Sequence, residues 1–499
     1  MTDDATAFAP YDIEVEQAVL AAILVHKDAL AIVATELEPS DFYDPLHARI
    51  FEKMLVLDEL DRPISNITLH AVMKNDPGLV SLREEWGPEE NTNYLEVLAT
   101  RAPFVRAELP EYCRIISALK MRRAAEDAIV DAEAHLKRGD GIETALAPII
   151  RVSDELAHRE QQRKGPVGLG DAFEQLARDA EIAANGGRGG GCTTGSVRLD
   201  RQIGGYFDEN LIIIAGRPGM GKSVIGTSAL LAAAKTQAEG LGRVYDPTGF
   251  SLEMSARENA ARMIADLDLD AAMAEGRKPL HYANILKGRL DGEQWDRFIL
   301  LGQTLQDFGI DIYDEGKMTM RKIAALARAR AATSKRKPFI LVDHIQIIKG
   351  GDRYQGKRLD ELTEITGELK GLAKRLKCPV LGISQLSRGV EGREEKRPNL
   401  GDLRESGSIE QDADVVLLAY RPAYYLRAKL KHARAMGNSK SVLELETQLE
   451  AEANLMEIDA AKNRNGPVGD VKLWVDVAAS AIRDERPDER PDIQQGFKL

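Results

Sequence analysis

The chain has 499 residues, enough for two to four domains of ordinary size. Hydrophobic residues make up 43% and charged residues 29%, a balance that supports packed cores and excludes a disordered or fibrous protein. The 67 basic and 80 acidic side chains leave a net charge of −13, so bulk charge does not attract a polyanion. Any site for a polyanion must therefore be a local basic patch.

Cysteine usage and the absence of targeting patterns predict a cytoplasmic protein. Cys113, Cys192 and Cys378 lie far apart and show neither disulfide-type nor zinc-type spacing. The acidic start of the chain lacks a basic region followed by an apolar run. No stretch reaches the ~18 apolar residues that a membrane span needs. We therefore expect a reducing compartment and no membrane partner.

The first third of the chain has helical periodicity. Apolar residues recur there at three- and four-residue spacing, as in Ile50, Phe51 and Met54. This pattern predicts a small all-helical domain over 1–163. Two glycine-rich stretches around one helical stretch follow, which predicts an articulated linker with its own helix over 164–195.

After the linker, short β-branched runs alternate with longer helical segments. Continuous apolar strands between helices are typical of a buried, mostly parallel sheet, which predicts an α/β domain over 196–484. Within it, 424–457 is predicted to form a helical hairpin with a basic and an acidic arm, as a structural insertion. The tail, 485–499, is rich in Arg, Asp, Glu and Pro and is expected to be disordered. The short β-branched runs that predict the strands of this domain cover residues 211–215, 339–343, 379–384 and 414–419.

A phosphate-binding motif joins the first of these runs to an alanine-rich helical segment. The residues Gly216-Arg-Pro-Gly-Met-Gly-Lys-Ser match G-x-x-x-x-G-K-[ST] in the strand and helix context that this motif requires. Glycines let backbone N–H groups surround phosphate oxygens at a helix N-terminus. Lys222 brings a positive charge to the terminal phosphates of ATP, and the Ser223 hydroxyl can bind Mg²⁺. The predicted nucleotide-binding residues are Gly216, Pro218, Gly219, Gly221, Lys222 and Ser223.

Three polar residues follow other predicted strands. Asp343 ends a buried run, at the sheet edge where open α/β sheets bind ligands, and can hold Mg²⁺ opposite Ser223. Glu253 follows another strand-like segment and can act as the base that deprotonates water, although a helix-starting glutamate would fit the spacing equally well. Gln385 can hydrogen-bond a γ-phosphate or be a simple polar residue at a strand end.

Together these residues and several longer segments resemble the bacterial DnaB-type replicative helicases, which are hexameric RecA-like motors. The resemblance covers nearly the whole chain and is most specific at 397–414 and 462–469. It implies an all-α N-terminal domain joined by a linker helix to an α/β RecA-like P-loop ATPase domain. The other similar segments are 13–23, 41–47, the phosphate motif, 251–254 and 383–390.

The resemblance also implies roles for the polar residues. Glu253 would be the catalytic base, Asp343 the Mg²⁺ residue and Gln385 the γ-phosphate sensor. Arg464, with Lys462 beside it, would reach into the ATP site of the neighbouring subunit, where a cation stabilises charge on the transferred phosphoryl group. An exposed arginine in a turn is the alternative for Arg464.

Two segments are candidates for binding the phosphates of single-stranded DNA. The first, 404–407, is implied by the resemblance, and in it an arginine can neutralise a phosphate and a glycine lets the backbone approach one closely. The basic loop 349–358 suits a funnel for the DNA backbone, or is a solvated surface loop. The candidate DNA-binding residues are Arg404, Glu405, Gly407, Arg353, Lys357 and Arg358.

The function implied by the resemblance is ATP-driven translocation, 5′ to 3′, on single-stranded DNA with unwinding at the replication fork. It also implies a homohexamer, a collar that recruits primase, a helicase loader, and a linker helix that docks on the next subunit. The alternatives are a RecA-like recombinase or DNA-dependent ATPase that does not unwind, and an inactive helicase-like scaffold.

Two departures from the family pattern lie near the predicted base. Pro247 and Gly249 would interrupt strand hydrogen bonding before Glu253, which is the feature that favours the scaffold. His344 stands where the family commonly has an aromatic or another residue, and we expect it to pack near the site without binding metal.

Overall fold

The computed structural model describes residues 10–26, 28–86, 94–100, 108–162, 168–184, 191–238, 242–349, 358–403 and 407–489. The chain divides into two compact units, Met1–Gly168 and Leu169–Leu499. The first unit is helical and the second contains a large mixed sheet, so the predicted fold class is confirmed. Within the described residues, no helix is both long enough and apolar enough to cross a membrane.

The first unit contains an apolar core to which most of its helices contribute. Ile50, Phe51 and Met54 are fully buried in it, as the helical periodicity predicted. The helices are α1 (Ile13–Val25), α2 (Ala29–Glu36), α3 (Pro45–Glu59), α4 (Asn66–Met73), α5 (Pro77–Trp86), α6 (Tyr94–Thr100), α7 (Leu109–Lys137) and α8 (Ile142–Gln162).

A buried polar cluster joins α1, α3 and α6. His47 Nδ1 lies 2.7 Å from Glu16 Oε2, and His47 Nε2 lies 2.6 Å from the Tyr94 hydroxyl. Glu16 also accepts a hydrogen bond from the backbone N–H of Tyr43 at 2.5 Å. Buried polar groups are tolerated when they are hydrogen-bonded, so this cluster fixes how the three helices meet.

The second unit contains α9 to α19 and all thirteen strands of the described residues. Its helices are α9 (Leu169–Ala184), α10 (Val197–Ile203), α11 (Lys222–Lys235), α12 (Ala256–Ala274), α13 (Tyr282–Leu286), α14 (Gly292–Asp307), α15 (Met320–Thr333), α16 (Arg358–Leu376), α17 (Gly407–Asp412), α18 (Pro422–Ala435) and α19 (Ser439–Glu452). Its strands are β1 (Gly191–Cys192), β2 (Tyr206–Phe207), β3 (Leu211–Gly216), β4 (Gln237–Ala238), β5 (Gly242–Arg243), β6 (Tyr245–Ser251), β7 (Asp311–Tyr313), β8 (Lys337–Asp343), β9 (Val380–Gln385), β10 (Val415–Tyr420), β11 (Leu455–Asn463), β12 (Gly469–Asp476) and β13 (Ala481–Arg483).

Nine strands form the main sheet in the order β13-β12-β11-β10-β3-β9-β8-β6-β7. The neighbours from β10 to β7 are parallel, and β11, β12 and β13 extend the sheet as an antiparallel meander. Strand β3 therefore lies near the centre, with β10 and β9 on its two sides. This arrangement confirms the predicted buried, mostly parallel sheet.

The continuous apolar run of β3 follows from burial on both faces of the sheet. Ile212 and Ile214 point into the core that includes α11, whereas Leu211, Ile213 and Ala215 point into the core that includes α15 and α16. A strand with helices on both faces has no polar side, which explains why its sequence does not alternate.

The expected interruption before Glu253 is wrong, because β6 runs unbroken through Pro247 and Gly249. Backbone groups of Val244 and Leu252 hydrogen-bond to β8. Because successive residues of a strand direct their backbone groups to alternate neighbouring strands, the nitrogen of Pro247 faces β7. Pairing with β7 starts only at Thr248, and the missing N–H of the proline therefore costs no ladder hydrogen bond.

Two peripheral segments complete the second unit. Helices α18 and α19 form an antiparallel pair in which Arg434 Nη2 lies 2.6 Å from Glu446 Oε1. Near the C-terminus, Pro487–Glu489 form a 3₁₀ turn. Residues 490–499 lie outside the described residues.

Candidate active site

The ends of four parallel strands form a row at one edge of the sheet. In the register of the sheet, Ser251 pairs with Asp343, Asp343 with Ile383, and Gly216 with Gln385. The backbone N–H of Leu252 continues this pattern by donating to the carbonyl oxygen of Asp343 at 2.7 Å. The residues that follow β3, β6, β8 and β9 are thereby brought to one place.

The phosphate motif forms the loop between β3 and α11, and all six predicted nucleotide-binding residues lie in it or at its ends. Gly219 and Gly221 have φ angles of 81° and 90°, a left-handed conformation that glycine adopts without strain. A Cβ atom on Gly219 would also lie 2.6 Å from the ring of Tyr424. Conformation and close packing both account for glycine at position 219.

Burial sets the electrostatics of the loop. Burial lowers the pKa of Lys222, and the nearby charges of Asp343 and Glu253 oppose this shift. The Lys222 ammonium group donates to the carbonyl oxygen of Arg217 at 3.1 Å. A partly desolvated cation beside backbone N–H groups at a helix N-terminus is a site for a phosphate anion.

Asp343 is 7% exposed and forms a hydrogen bond with the Ser223 side chain. Burial raises the pKa of Asp343, and the hydrogen bond from Ser223 partly offsets this shift. Ligand oxygens of Glu253 and Asp343 and a ring nitrogen of His344 all lie within 4.8 Å of one another. Carboxylate and hydroxyl oxygens are the ligands that Mg²⁺ prefers, so Ser223 and Asp343 fit this cation better than the His344 nitrogen does.

Glu253 lies in the turn between β6 and α12, and its side chain is 65% exposed. Its Oε2 lies 3.2 Å from His344 Nδ1. The exposed carboxylate of Glu253 therefore lies beside the buried carboxylate of Asp343.

Gln385 ends β9 with its side chain exposed, next to Gly216 of β3. A residue that the sequence analysis missed holds its backbone: the side-chain amide of Gln346 accepts from Gln385 N at 3.2 Å and donates to Gln385 O at 3.1 Å. Arg217 was also missed as a contact residue, and its guanidinium contacts Glu391 Oε1 at 3.0 Å. No spacing rule would have pointed to either contact, since both join residues far apart in sequence.

Lys462 and Arg464 are not brought to this edge. Lys462 lies near the end of β11 and donates to the carbonyl oxygen of Glu410 at 2.6 Å, whereas Arg464 follows β11 and contacts Asp414. Asp414 adjoins the first residue of β3, at the opposite edge of the sheet from the phosphate loop.

Four of the six DNA-binding candidates lie outside the described residues, namely Arg404, Glu405, Arg353 and Lys357. Gly407 and Arg358 are the first residues of α17 and α16.

Comparison with known proteins matches both units of the chain. The sequence model of the DnaB-like helicase C-terminal domain matches residues 191–484, and that of the DnaB-like helicase N-terminal domain matches residues 9–118. The replicative DNA helicase DnaC of Bacillus subtilis (strain 168) is 34% identical over 93% of this chain and 92% of that protein. The chain belongs to the DnaB-like replicative helicase family.

Another relative agrees with this assignment, and a solved structure has a similar fold. The replicative DNA helicase DnaB of Geobacillus stearothermophilus is also 34% identical, over 93% of this chain and 92% of that protein. A solved structure of a DnaB-like replicative helicase and its interactions with primase has a TM-score of 0.62 and 24% identity, covering 95% of this chain and 99% of that chain. The family assignment covers the helical unit as well as the ATPase, which favours a DnaB-like helicase over a recombinase.

A second solved structure, of an isolated ATPase domain, resembles the larger unit. It has a TM-score of 0.50 and 26% identity, covering 64% of this chain and 99% of that chain. The likeness of this domain fits an ATPase built on the sheet of the second unit.

Proposed function

We propose that this chain, a DnaB-like replicative helicase and therefore an ATP-dependent DNA helicase, hydrolyses ATP between the phosphate loop and the ends of β6, β8 and β9. The observation that carries the proposal is the convergence of Lys222, Ser223, Glu253, Asp343 and Gln385 at one edge of the sheet. Nucleotide binding, water activation and phosphate sensing then take place within one row of strand ends.

In the proposed reaction, the loop and Lys222 hold the terminal phosphates of ATP. Water attacks the γ-phosphorus, the bond to the β-phosphate oxygen breaks, and the Glu253 carboxylate takes the proton from the attacking water. ADP and phosphate are the products. Loss of the γ-phosphate removes the hydrogen-bond partner of Gln385, and this change in contacts drives the movement on DNA.

Mg²⁺ is proposed as the cofactor of the site, held by Ser223 and by Asp343. When bound, the cation would neutralise charge on the β- and γ-phosphate oxygens. Asp343 suits this role because its carboxylate is buried and already hydrogen-bonded to Ser223. His344 contacts Glu253 and is proposed to pack beside the base without binding metal.

A homohexamer is proposed because resemblance to the family implies one and because two helices have exposed apolar surfaces. The surfaces of α9 and α14 suit docking of the linker helix on a second copy of the chain, since single exposed apolar residues are common but rows of them are not. On α9, the i, i+4, i+7 row is Leu169, Phe173 and Leu176. On α14, the exposed residues are Trp295, Ile299 and Leu300.

Single-stranded DNA, moved 5′ to 3′, is the proposed track. The proposed contacts are Arg404, Glu405 and Gly407, which resemblance to the family supports, and the basic residues Arg353, Lys357 and Arg358, which the composition of their loop supports. If Arg404 contacts a phosphate, Arg404→Ala should weaken binding equally for all sequences and lower the slope of log affinity against log salt by about one. An unchanged salt slope would argue against that contact.

Primase and a helicase loader are the proposed protein partners, and the cytoplasm is the proposed compartment. The inactive scaffold is not favoured, because the strand leading to Glu253 is continuous.

The experiment is unwinding of a forked duplex with a 5′ single-stranded tail, with DNA-stimulated ATPase measured on the same samples. Wild type should release the tailed strand, and Lys222→Ala should lose both activities because the terminal phosphates lose their cation. DNA-stimulated hydrolysis without strand release on any loaded fork would instead support the ATPase that does not unwind. Absence of hydrolysis in the wild-type ring would support the scaffold.

A further inference from the structure

The side-chain amide of Gln346 makes three hydrogen bonds to the end of β9. Its Nε2 donates to the Ser384 hydroxyl oxygen at 2.7 Å and to the Gln385 carbonyl oxygen at 3.1 Å. Its Oε1 accepts from the Gln385 N–H at 3.2 Å. A carboxamide has the same donor and acceptor groups as a peptide unit, and here it pairs with Gln385 as a backbone would.

This contact lies where the main chain of β8 no longer pairs with β9. The last registered pair of these strands is Asp343 with Ile383. In a parallel sheet, every second residue of a strand hydrogen-bonds to the same neighbouring strand, so Gln385 is the next residue of β9 expected to hydrogen-bond to the main chain of β8. The side chain of Gln346, in the 3₁₀ turn Ile345–Ile347, makes these hydrogen bonds instead.

The opposite side of the same strand end is held by the phosphate loop. Gly216 pairs with Gln385 in the register, and the Leu386 N–H donates to the Gly216 carbonyl oxygen at 3.4 Å. Ser384 is fully buried. The backbone of Gln385 is therefore held between the phosphate loop and the Asp343 strand, while its side chain stays exposed.

We propose that Gln346 is a positioning residue that fixes the backbone of Gln385 to the end of β8, so that the γ-phosphate sensor and the Asp343 side of the site move together. The inference rests on the proposed role of Gln385 and extends it. Without the amide, the N–H and C=O of Gln385 lose their partner on the β8 side. The backbone that carries the sensor side chain is then no longer held in place. The DNA-stimulated step, which needs the sensor in register with the phosphate, is then slowed.

The test is a kinetic comparison of wild type with Gln346→Met, which keeps the length of the side chain and removes all three hydrogen bonds. DNA-stimulated kcat should fall on the order of tenfold, less than the ~100-fold that a displacement of 1 Å can cost. KM for ATP should change by less than about twofold, because Lys222 and the loop that bind ground-state ATP are unchanged. Gln448→Met, the same change on the exposed part of α19, is the matched control and should have wild-type kinetics.

Combining Gln346→Met with Gln385→Ala separates positioning from a general structural effect. If Gln346 acts through Gln385, the double variant should be no slower than Gln385→Ala alone. The inference would be overturned by a wild-type kcat in Gln346→Met. It would also be overturned if Gln346→Met lowered kcat tenfold both in the wild-type protein and in Gln385→Ala. Either result would leave the proposed function intact. A wild-type kcat in Gln385→Ala would overturn the sensor role itself.

A milder variant covers the case in which Gln346→Met does not fold. Ser384→Ala removes one of the three hydrogen bonds without adding volume, and kcat should fall about two- to threefold with KM unchanged. Full DNA-stimulated turnover in a folded Ser384→Ala protein would overturn the proposal.

Discussion

Arg464 is held by Asp414 at the edge of the sheet opposite to the phosphate loop. Its backbone N–H donates to the Asp414 carbonyl oxygen at 2.9 Å, and its Nη1 donates to Asp414 Oδ1 at 3.4 Å. Asp414 also accepts from the N–H of Leu211 at 2.8 Å, while Gly216 ends the same strand. Five residue steps of a parallel strand span about 16 Å, so Arg464 is far from the ATP site of its own chain.

If Arg464 serves a neighbouring subunit, Arg464→Ala should leave ATP binding intact and suppress hydrolysis in the proposed ring. A cation that neutralises charge on the transferred phosphoryl group contributes a factor of about 10³ or more to kcat. The side chain is 68% exposed, so its removal should not unfold the protein. Binding of a fluorescent ATP analogue and steady-state ATPase on the same sample check both halves of the prediction. Wild-type turnover would remove Arg464 from catalysis.

Mixing two inactive variants tests whether Arg464 acts in trans. Rings assembled from Arg464→Ala and Lys222→Ala subunits contain interfaces that combine an intact phosphate loop with an intact arginine from the neighbour. We expect such mixtures to recover part of the ATPase activity, whereas each variant alone is inactive. If mixtures stay inactive under conditions where subunits exchange, the arginine does not serve a neighbouring site.

Asp414→Asn should destabilise the second unit. Asp414 is 2% exposed, and its carboxylate lies 2.6 Å from the Lys370 ammonium group. Removing one partner of a buried ion pair costs about 3 kcal/mol, because the other charge remains buried without compensation. Thermal unfolding measures the loss, and Lys370→Met in the same background should recover part of it. Equal and additive losses in the two single variants would show that the pair is not coupled.

Phe173→Ser should weaken the proposed homohexamer without unfolding the subunit. Phe173 is 68% exposed on α9, and Trp295 on α14, the proposed docking partner, is 52% exposed. Loss of an aromatic anchor costs about 2 kcal/mol for each interface, which should shift the ring towards smaller species. Mass photometry over a dilution series measures the shift. Leu443→Ser, on the equally exposed face of α19, is the control, and identical assembly of the two variants would contradict docking through α9.

The elements that the sequence predicted best are those determined by local pattern. The run Leu211–Gly216 is apolar throughout because both faces are buried, and Asp343 follows a run of the same kind. Side chains at the carboxyl ends of parallel strands must then meet at one edge, whatever the details of the register. The contact of Gln346 with Gln385 could not be predicted in this way, because it depends on where β8 stops pairing with β9.

The role of Gly249 also depends on register, and it leads to a last prediction. A Cβ atom at this position would lie 2.7 Å from Ile312 Cδ1 and 3.3 Å from Leu230 Cδ1, between β7 and α11. Gly249→Ala should therefore destabilise the second unit by about 1–3 kcal/mol through overpacking and should also lower kcat by shifting Glu253. Gly302→Ala, with open space around the added methyl group on α14, should instead stabilise it by about 0.5–1 kcal/mol. Thermal unfolding of both variants measures these changes in stability. A neutral or stabilising Gly249→Ala would mean that glycine is present there for a reason other than packing.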